Sequence, residues 1–378
     1  MGLLQGWLDV GAMVILSLLC FIWAGRTLLG FCLLTCTFIS LFSSGSGLDE
    51  QWIPALQQAL PVGCHKKPSF MNLFRILTIS NFLFVLSSSS FGQQIADSTF
   101  HYANTNPIYK DRQGTVISLD EAHFNFHTLS GRYYTFGRIL EQDGYTLKAG
   151  SSIFTSSYLS TIKILVIANA LPDTGDWKLP AKSAFTTAEI NDIHKWVMAG
   201  GSLFLIADHM PFPGSYAQLG LAFGFNFINS YALRKDKKPE MFSRELKNLT
   251  SNEITNGRNK SEKVDSIRIF GGSAFIPPSG AIIISKLDDS YNIFLPVRSE
   301  KLSATKIDDT TPVLSGHGLA NGAFLEYGRG RVVVFGEAAL FSAQLQGTEK
   351  RKMGMNNPQA NQNPQFLLNI IHWLDRKL

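Results

Sequence analysis

The stretch Trp196-Val-Met-Ala-Gly-Gly-Ser-Leu-Phe-Leu-Ile-Ala-Asp208-His209 holds the end of a helix, a break and a buried strand in one short run. Upstream of it Ile190, Ile193, Trp196 and Val197 recur at three-to-four spacing, which predicts a helix over 186–199 with one apolar face. Its threonines and Glu189 mark the start, and Gly200-Gly201 marks the end. Leu203-Phe-Leu-Ile-Ala207 is then apolar without alternation, as befits a strand covered on both faces. An acid and an imidazole follow at once.

The same order recurs on either side. Thr115-Val-Ile-Ser-Leu-Asp-Glu-Ala-His-Phe-Asn-Phe-His127 runs a strand into two acids, two histidines and an asparagine, and Arg331-Val-Val-Val-Phe335 runs into Gly336-Glu337. Strand signals at 116–119, 145–148, 163–168 and 202–207 alternate with helix signals at 131–142, 186–199 and 215–223. Such alternation predicts an α/β domain with a mainly parallel sheet over 115–378. Strands resume at 281–285, about 293–297, 323–327 and 331–335, the last two flanking a hairpin turn at Gly328-Arg-Gly330. A closing helix is predicted over 363–374, with Phe366, Leu367, Ile370 and Trp373 on one stripe. Residues 93–114 read as a linker. The charge-dense segment 230–265, including Arg234-Lys-Asp-Lys-Lys238, reads as a solvated surface insertion, a binding face being the other reading.

The first ninety residues differ in kind. Residues 1–70 form an apolar N-terminal extension, and 11–43, broken by Arg26, would accommodate one long or two short membrane segments at about 20 residues per span. Met71-Asn-Leu-Phe-Arg75, an apolar core at 76–86 and Ser90-Phe-Gly92 have the layout of a secretory signal over 71–92, with a membrane anchor as the alternative. Residues 1–70 are then either a membrane hairpin or an extension upstream of a true start at Met71. The expected location is exported, in the periplasm, or tethered to the membrane and facing it.

All four cysteines, at positions 20, 32, 36 and 64, lie upstream of Met71. A part beginning after the signal would therefore contain no disulfide, thiolate metal site or cysteine nucleophile. The net charge of +5 over 378 residues, without a long basic run, does not imply nucleic acid. No serine-hydrolase elbow, phosphate-binding loop or strand-borne dinucleotide fingerprint occurs.

Ligands of open parallel sheets bind beyond the carboxyl ends of the strands. On that ground Asp208, His209 and Glu337 are the catalytic candidates. Asp120, Glu121, His123, Asn125, His127 and Gln344 are candidates for holding a ligand. His123, His127, Asp208 and His209 are candidates for a divalent metal. Bland alternatives stand beside each: a loop hydrogen-bonding its own backbone at 120–127, a salt-bridged hinge at Asp208-His209, and a helix N-terminal carboxylate at Glu337.

The segments 115–150, 161–227 and 331–376 together resemble the class I glutamine-amidotransferase-like superfamily, and within it the exported DUF4350-type proteins. The motifs that carry the resemblance are Asp120-Glu-Ala-His-Phe-Asn-Phe-His127, Trp196 to His209, Val332-Val-Val-Phe-Gly-Glu-Ala-Ala-Leu-Phe-Ser342 and Asn363-Pro-Gln-Phe-Leu-Leu-Asn-Ile-Ile-His-Trp-Leu374. The resemblance implies a flavodoxin-like fold with helices on both faces. It also implies where a nucleophilic cysteine and a histidine base would stand. This chain has Ala207-Asp208-His209 and Gly336-Glu337 there, so amidotransferase chemistry is not carried over. The expectation is a hydrolase acting on a small polar molecule or glycan, or a non-catalytic cell-envelope binding or assembly module.

Overall fold

The continuous apolar runs form the centre of the molecule, where Ile164–Ala168 and Ser202–Ile206 are buried at every residue. The computed structural model describes residues 94–173, 179–296 and 307–378, all within the unit Phe91–Leu378. The hairpin, signal and anchor readings at 1–92 lie outside the described residues, as does Val297. None of the described helices is long and apolar enough to cross a membrane.

A nine-stranded sheet organises the fold. Thr146–Gly150, Val116–Asp120, Ile164–Ala168, Ser202–Ile206 and Gly330–Phe335 lie side by side in that order, all parallel. From Gly330–Phe335 the sheet turns antiparallel, through Ala320–Tyr327 to Ala274–Ile276 and Asn226–Ile228, with Ile282–Lys286 also paired to Ala320–Tyr327. The change of direction comes from the hairpin expected at Gly328-Arg-Gly330, which pairs Tyr327 with Gly330. The architecture is thus mixed α/β around a large sheet with a five-stranded parallel block, and its helices are few.

Successive residues of a strand point to opposite faces, and the core divides accordingly. Ile164, Val166, Ala168, Phe204, Ile206, Val333 and Phe335 join one apolar cluster with Phe136, Ile139 and Leu140 of the helix Tyr134–Gln142 and with the closing helix Asn363–Leu374. Leu165, Ile167, Leu203, Leu205, Val332 and Val334 join another with Ile190, Ile193 and Val197 of Thr187–Met198 and with Tyr216 and Leu219 of Phe212–Ala222. Each large side chain buried this way contributes roughly 1.5–3 kcal/mol relative to exposure.

Two segments are more closely integrated than their composition suggests. Residues 94–114, within the stretch read as a linker, bond to the rest of the domain. Gln94–Ala96 pairs with Ala343–Gln346, Asn104 donates to Asp143, and the Tyr102 and Tyr109 hydroxyls donate to Gln365 and Asp375. The segment 230–265 is no mere solvated insertion. It contains Tyr231–Arg234, Glu240–Ser243 and the short helix Glu253–Asn256. Its Ala232, Phe242, Leu249, Ile254 and Val264 belong to the first apolar cluster.

Candidate functional site

The carboxyl ends of the parallel strands carry the polar groups, which gather into two sets. The first surrounds Asp120, the last residue of its strand and fully buried. The chain leaves the strand through Phe124, whose φ of 46° turns it back on itself. His123, Asn125 and His127 therefore do not share one extended face. His123 Nδ1 lies 2.9 Å from Asp120 Oδ1, and its Nε2 lies 2.8 Å from Glu189 Oε1. Asn125 Nδ2 donates to Asp120 Oδ2 at 2.9 Å, and its side-chain oxygen accepts the His123 N–H at 3.0 Å. Phe154 stacks on the His123 ring at 4.6 Å.

Burial opposes a charged imidazole here, but the hydrogen bonds and charges of Asp120 and Glu189 overcome it and hold His123 above its ordinary range. Burial would likewise raise Glu189, yet the N–H and hydroxyl of Thr186, with His123 and the Phe154 N–H, keep it below the usual carboxylate range. Glu189 thus does two jobs. It completes the capping box of Thr187–Met198, and its other oxygen holds His123. Its capping role was legible in the sequence, whereas the contact with His123, 66 positions away, was not.

Glu121 and His127 stand apart from this set. Glu121 Oε1 accepts the Leu129 N–H at 2.7 Å and so fastens the loop. His127 is buried against Tyr133, ring centroids 4.5 Å apart, and burial together with the Arg132 charge pushes it down to about 3. Its surroundings favour the neutral imidazole.

Asp208 leads the second set, separated from Asp120 by the strand Ile164–Ala168 and by Asn169. Asn169, with φ of 48°, accepts the Asp208 N–H on its side-chain oxygen at 2.9 Å, donates its own N–H to Ile206 and accepts that of Phe126. It joins the strand ends mechanically, and an asparagine tolerates that backbone better than most residues. Asp208 Oδ1 accepts the His209 N–H at 2.7 Å, and the His209 ring stacks on Tyr231 at 4.5 Å, 16° from parallel. Both His209 and Tyr231 are half-buried.

Glu337 is fully buried, and its two oxygens accept the N–H groups of Ala339 and Leu340 at 2.8 and 2.7 Å. Burial, and after it the negative charge of Asp208, nevertheless hold its carboxyl well above the usual range. Glu240 was not among the sequence candidates, because it lies in the segment read as a solvated insertion. Burial and Asp208 raise it to about 7, against the pull of Arg234. Tyr133, whose hydroxyl donates to Ala338 O at 3.1 Å, feels the charges of both Glu337 and Asp208. Gln344 lies outside this set, on the strand paired with Gln94–Ala96, and donates to Ser342. Among the described residues no three His, Cys, Asp or Glu side chains converge as metal ligands.

No family model matches the chain, and no curated protein matches it in sequence, so nothing here supports the DUF4350 assignment specifically. Solved structures do resemble it. The mmIFT52 N-terminal domain matches at a TM-score of 0.48 and 13% identity, over 68% of this chain and 97% of that one. A ThuA-like protein from Bacteroides uniformis matches at 0.36 and 11%, over 73% and 94%, and one from Parabacteroides merdae at 0.37 and 13%, over 70% and 91%. These likenesses carry no functional information.

Proposed function

We propose that this is an exported glutamine-amidotransferase-like domain, flavodoxin-like with helices on both faces of its sheet, that binds a small polar molecule or glycan without transforming it. The observation that carries this reading is that the strand-end groups best suited to chemistry are already held by the fold. Both nitrogens of His123 face carboxylates, and both oxygens of Glu337 face backbone N–H groups. A proton carrier needs a position left for substrate. Asp208, His209 and Tyr231 are also held by neighbours but are only half-buried, and they set a carboxylate next to an aromatic face. The signal-like segment at 71–92 supports export; if that segment is instead an anchor, residues 1–70 would form a membrane hairpin before it and tether the domain.

The test is a neutral-glycan binding screen on the purified full chain, run alongside hydrolysis of chromogenic glycosides and esters. Binding without turnover, lost in Tyr231→Ala, is the expected result. Turnover that disappears in Asp208→Asn would overturn it in favour of a second reading, a hydrolase. That reading rests on Glu240, a carboxyl held at about 7 by burial and by Asp208, because acid–base catalysts are tuned in this way.

A further inference from the structure

A cavity of about 690 Å³ opens between the turn before Glu240–Ser243, the end of Ser266–Ile269 and the strand Arg351–Gly354. Lys237, Lys238, Arg268, Arg351 and Lys352 line it, and the one acid among its walls is Glu240. Three separate segments thus bring five cationic side chains to one concavity, against their mutual repulsion. Lys238 and Arg351 have acids nearby, Asp236 at 3.7 Å and Glu349 at 2.7 Å, but neither acid lines the cavity.

Two buried atoms sharpen the picture. Arg268 donates through Nη1 to Gln359, yet its Nε is buried with no hydrogen-bond partner. Glu240 Oε2 is likewise buried and unpartnered. Such orphans are rare and costly, and here both belong to side chains of one cavity wall. They lie behind the cavity surface, so a ligand would meet the exposed parts of the same two side chains, a guanidinium and a carboxyl held side by side in one wall. Burial also depresses the Arg268 guanidinium, and Glu240 is the group that counteracts it.

We infer that this cavity binds a hydroxylated anion, a sugar bearing a phosphate or carboxylate, its charged group set among Arg268 and the lysines and a hydroxyl directed to Glu240. It extends the binding role proposed above to a second position, but does not depend on the crevice at Asp208.

Calorimetric titration of the purified full chain with glucose 6-phosphate, glucuronate, inorganic phosphate and glucose tests it. At least one of the two anionic sugars should bind, more weakly as ionic strength rises, with inorganic phosphate about tenfold weaker and glucose silent. Arg268→Met and the exposed Lys238→Ala should each weaken that binding about tenfold. The surface substitution keeps the test valid if the partly buried one unfolds the chain. Tyr231→Ala should leave it unchanged, which separates this site from the proposed neutral-glycan crevice. Failure of both anionic sugars to bind, phosphate binding as tightly as the sugar phosphate, or unchanged affinity in Lys238→Ala would overturn the inference.

Discussion

His123 Nε2 and Glu189 Oε1 meet at 2.8 Å, joining the loop after one parallel strand to the first turn of the helix Thr187–Met198. With Asp120 on its other nitrogen, the imidazole bridges two buried carboxylates, which favour its charged form. Replacing it by alanine removes the partner that the two acids share while each keeps its other donors, a change that should cost about 1–3 kcal/mol. The sign with pH follows from its raised pKa. The histidine contributes fully below its unfolded value near 6.5, and that contribution is lost as pH rises through the higher folded value. Urea unfolding of the wild type should therefore show stability falling above neutral pH by a step that His123→Ala lacks.

Glu337 should behave in the opposite way to a salt-bridged acid. Its folded pKa lies above the unfolded one, so its contribution is present below about 4.3 and is lost as pH rises toward the folded value. Glu337→Gln keeps the shape and one acceptor while removing the charge that faces Asp208. The variant should match or exceed the wild type in stability at pH 8 and fall below it at pH 5. Denaturation midpoints at the two pH values decide this, and a uniform loss at both would mean that the two N–H bonds outweigh the repulsion.

Gly272 holds the back of the same corner, with φ of 138°. A Cβ there would press into the Gly336 carbonyl and come within 3.1 Å of the Glu337 Cβ. Its own carbonyl accepts the Ala232 N–H at 2.8 Å, which fixes the backbone on the other side. Gly272→Ala should cost about 1–3 kcal/mol, combining strain with overpacking. Thermal unfolding would show it, and the neighbouring Gly271→Ala, whose Cβ meets nothing within 4 Å, separates strain from collision.

Much of this framework can be read in the sequence wherever one physical signal dominates. Ile164–Ala168 and Ser202–Ile206 are unbroken apolar runs, Thr186 and Glu189 announce a helix start, and the stripe through Phe366, Ile370 and Trp373 defines the closing helix to the residue. The segment 230–265 misleads because its strands are only four residues long, and the apolar residues they hold, Ala232 and Phe242 among them, are outnumbered by charges in the segment around them. Asp208 and Glu337 were legible as strand-end acids, and the influence of Asp208 on Glu337 follows from the adjacency of Ser202–Ile206 and Gly330–Phe335. Glu240 was illegible because its perturbation arises from burial by elements distant in the chain, and Asn169 because its role is a backbone conformation rather than a charge.

Asp208 is the common perturber of the carboxyl pair, since it raises both Glu337 and Glu240. Its removal should be felt at two sites at once. Asp208→Asn keeps an oxygen to accept the His209 N–H while deleting the charge, so Glu240 should titrate below its wild-type value of about 7. Arg234→Gln should move it the other way, because it removes the guanidinium charge that lowers Glu240 while keeping the Arg234 backbone N–H that also does so. Carboxyl carbon NMR titrations of the wild type and the two variants would measure both displacements. Equal values in all three proteins would mean that burial and the backbone N–H groups of Arg234 and Gly271 set Glu240, and the acid–base pairing that the hydrolase reading requires would then have no basis.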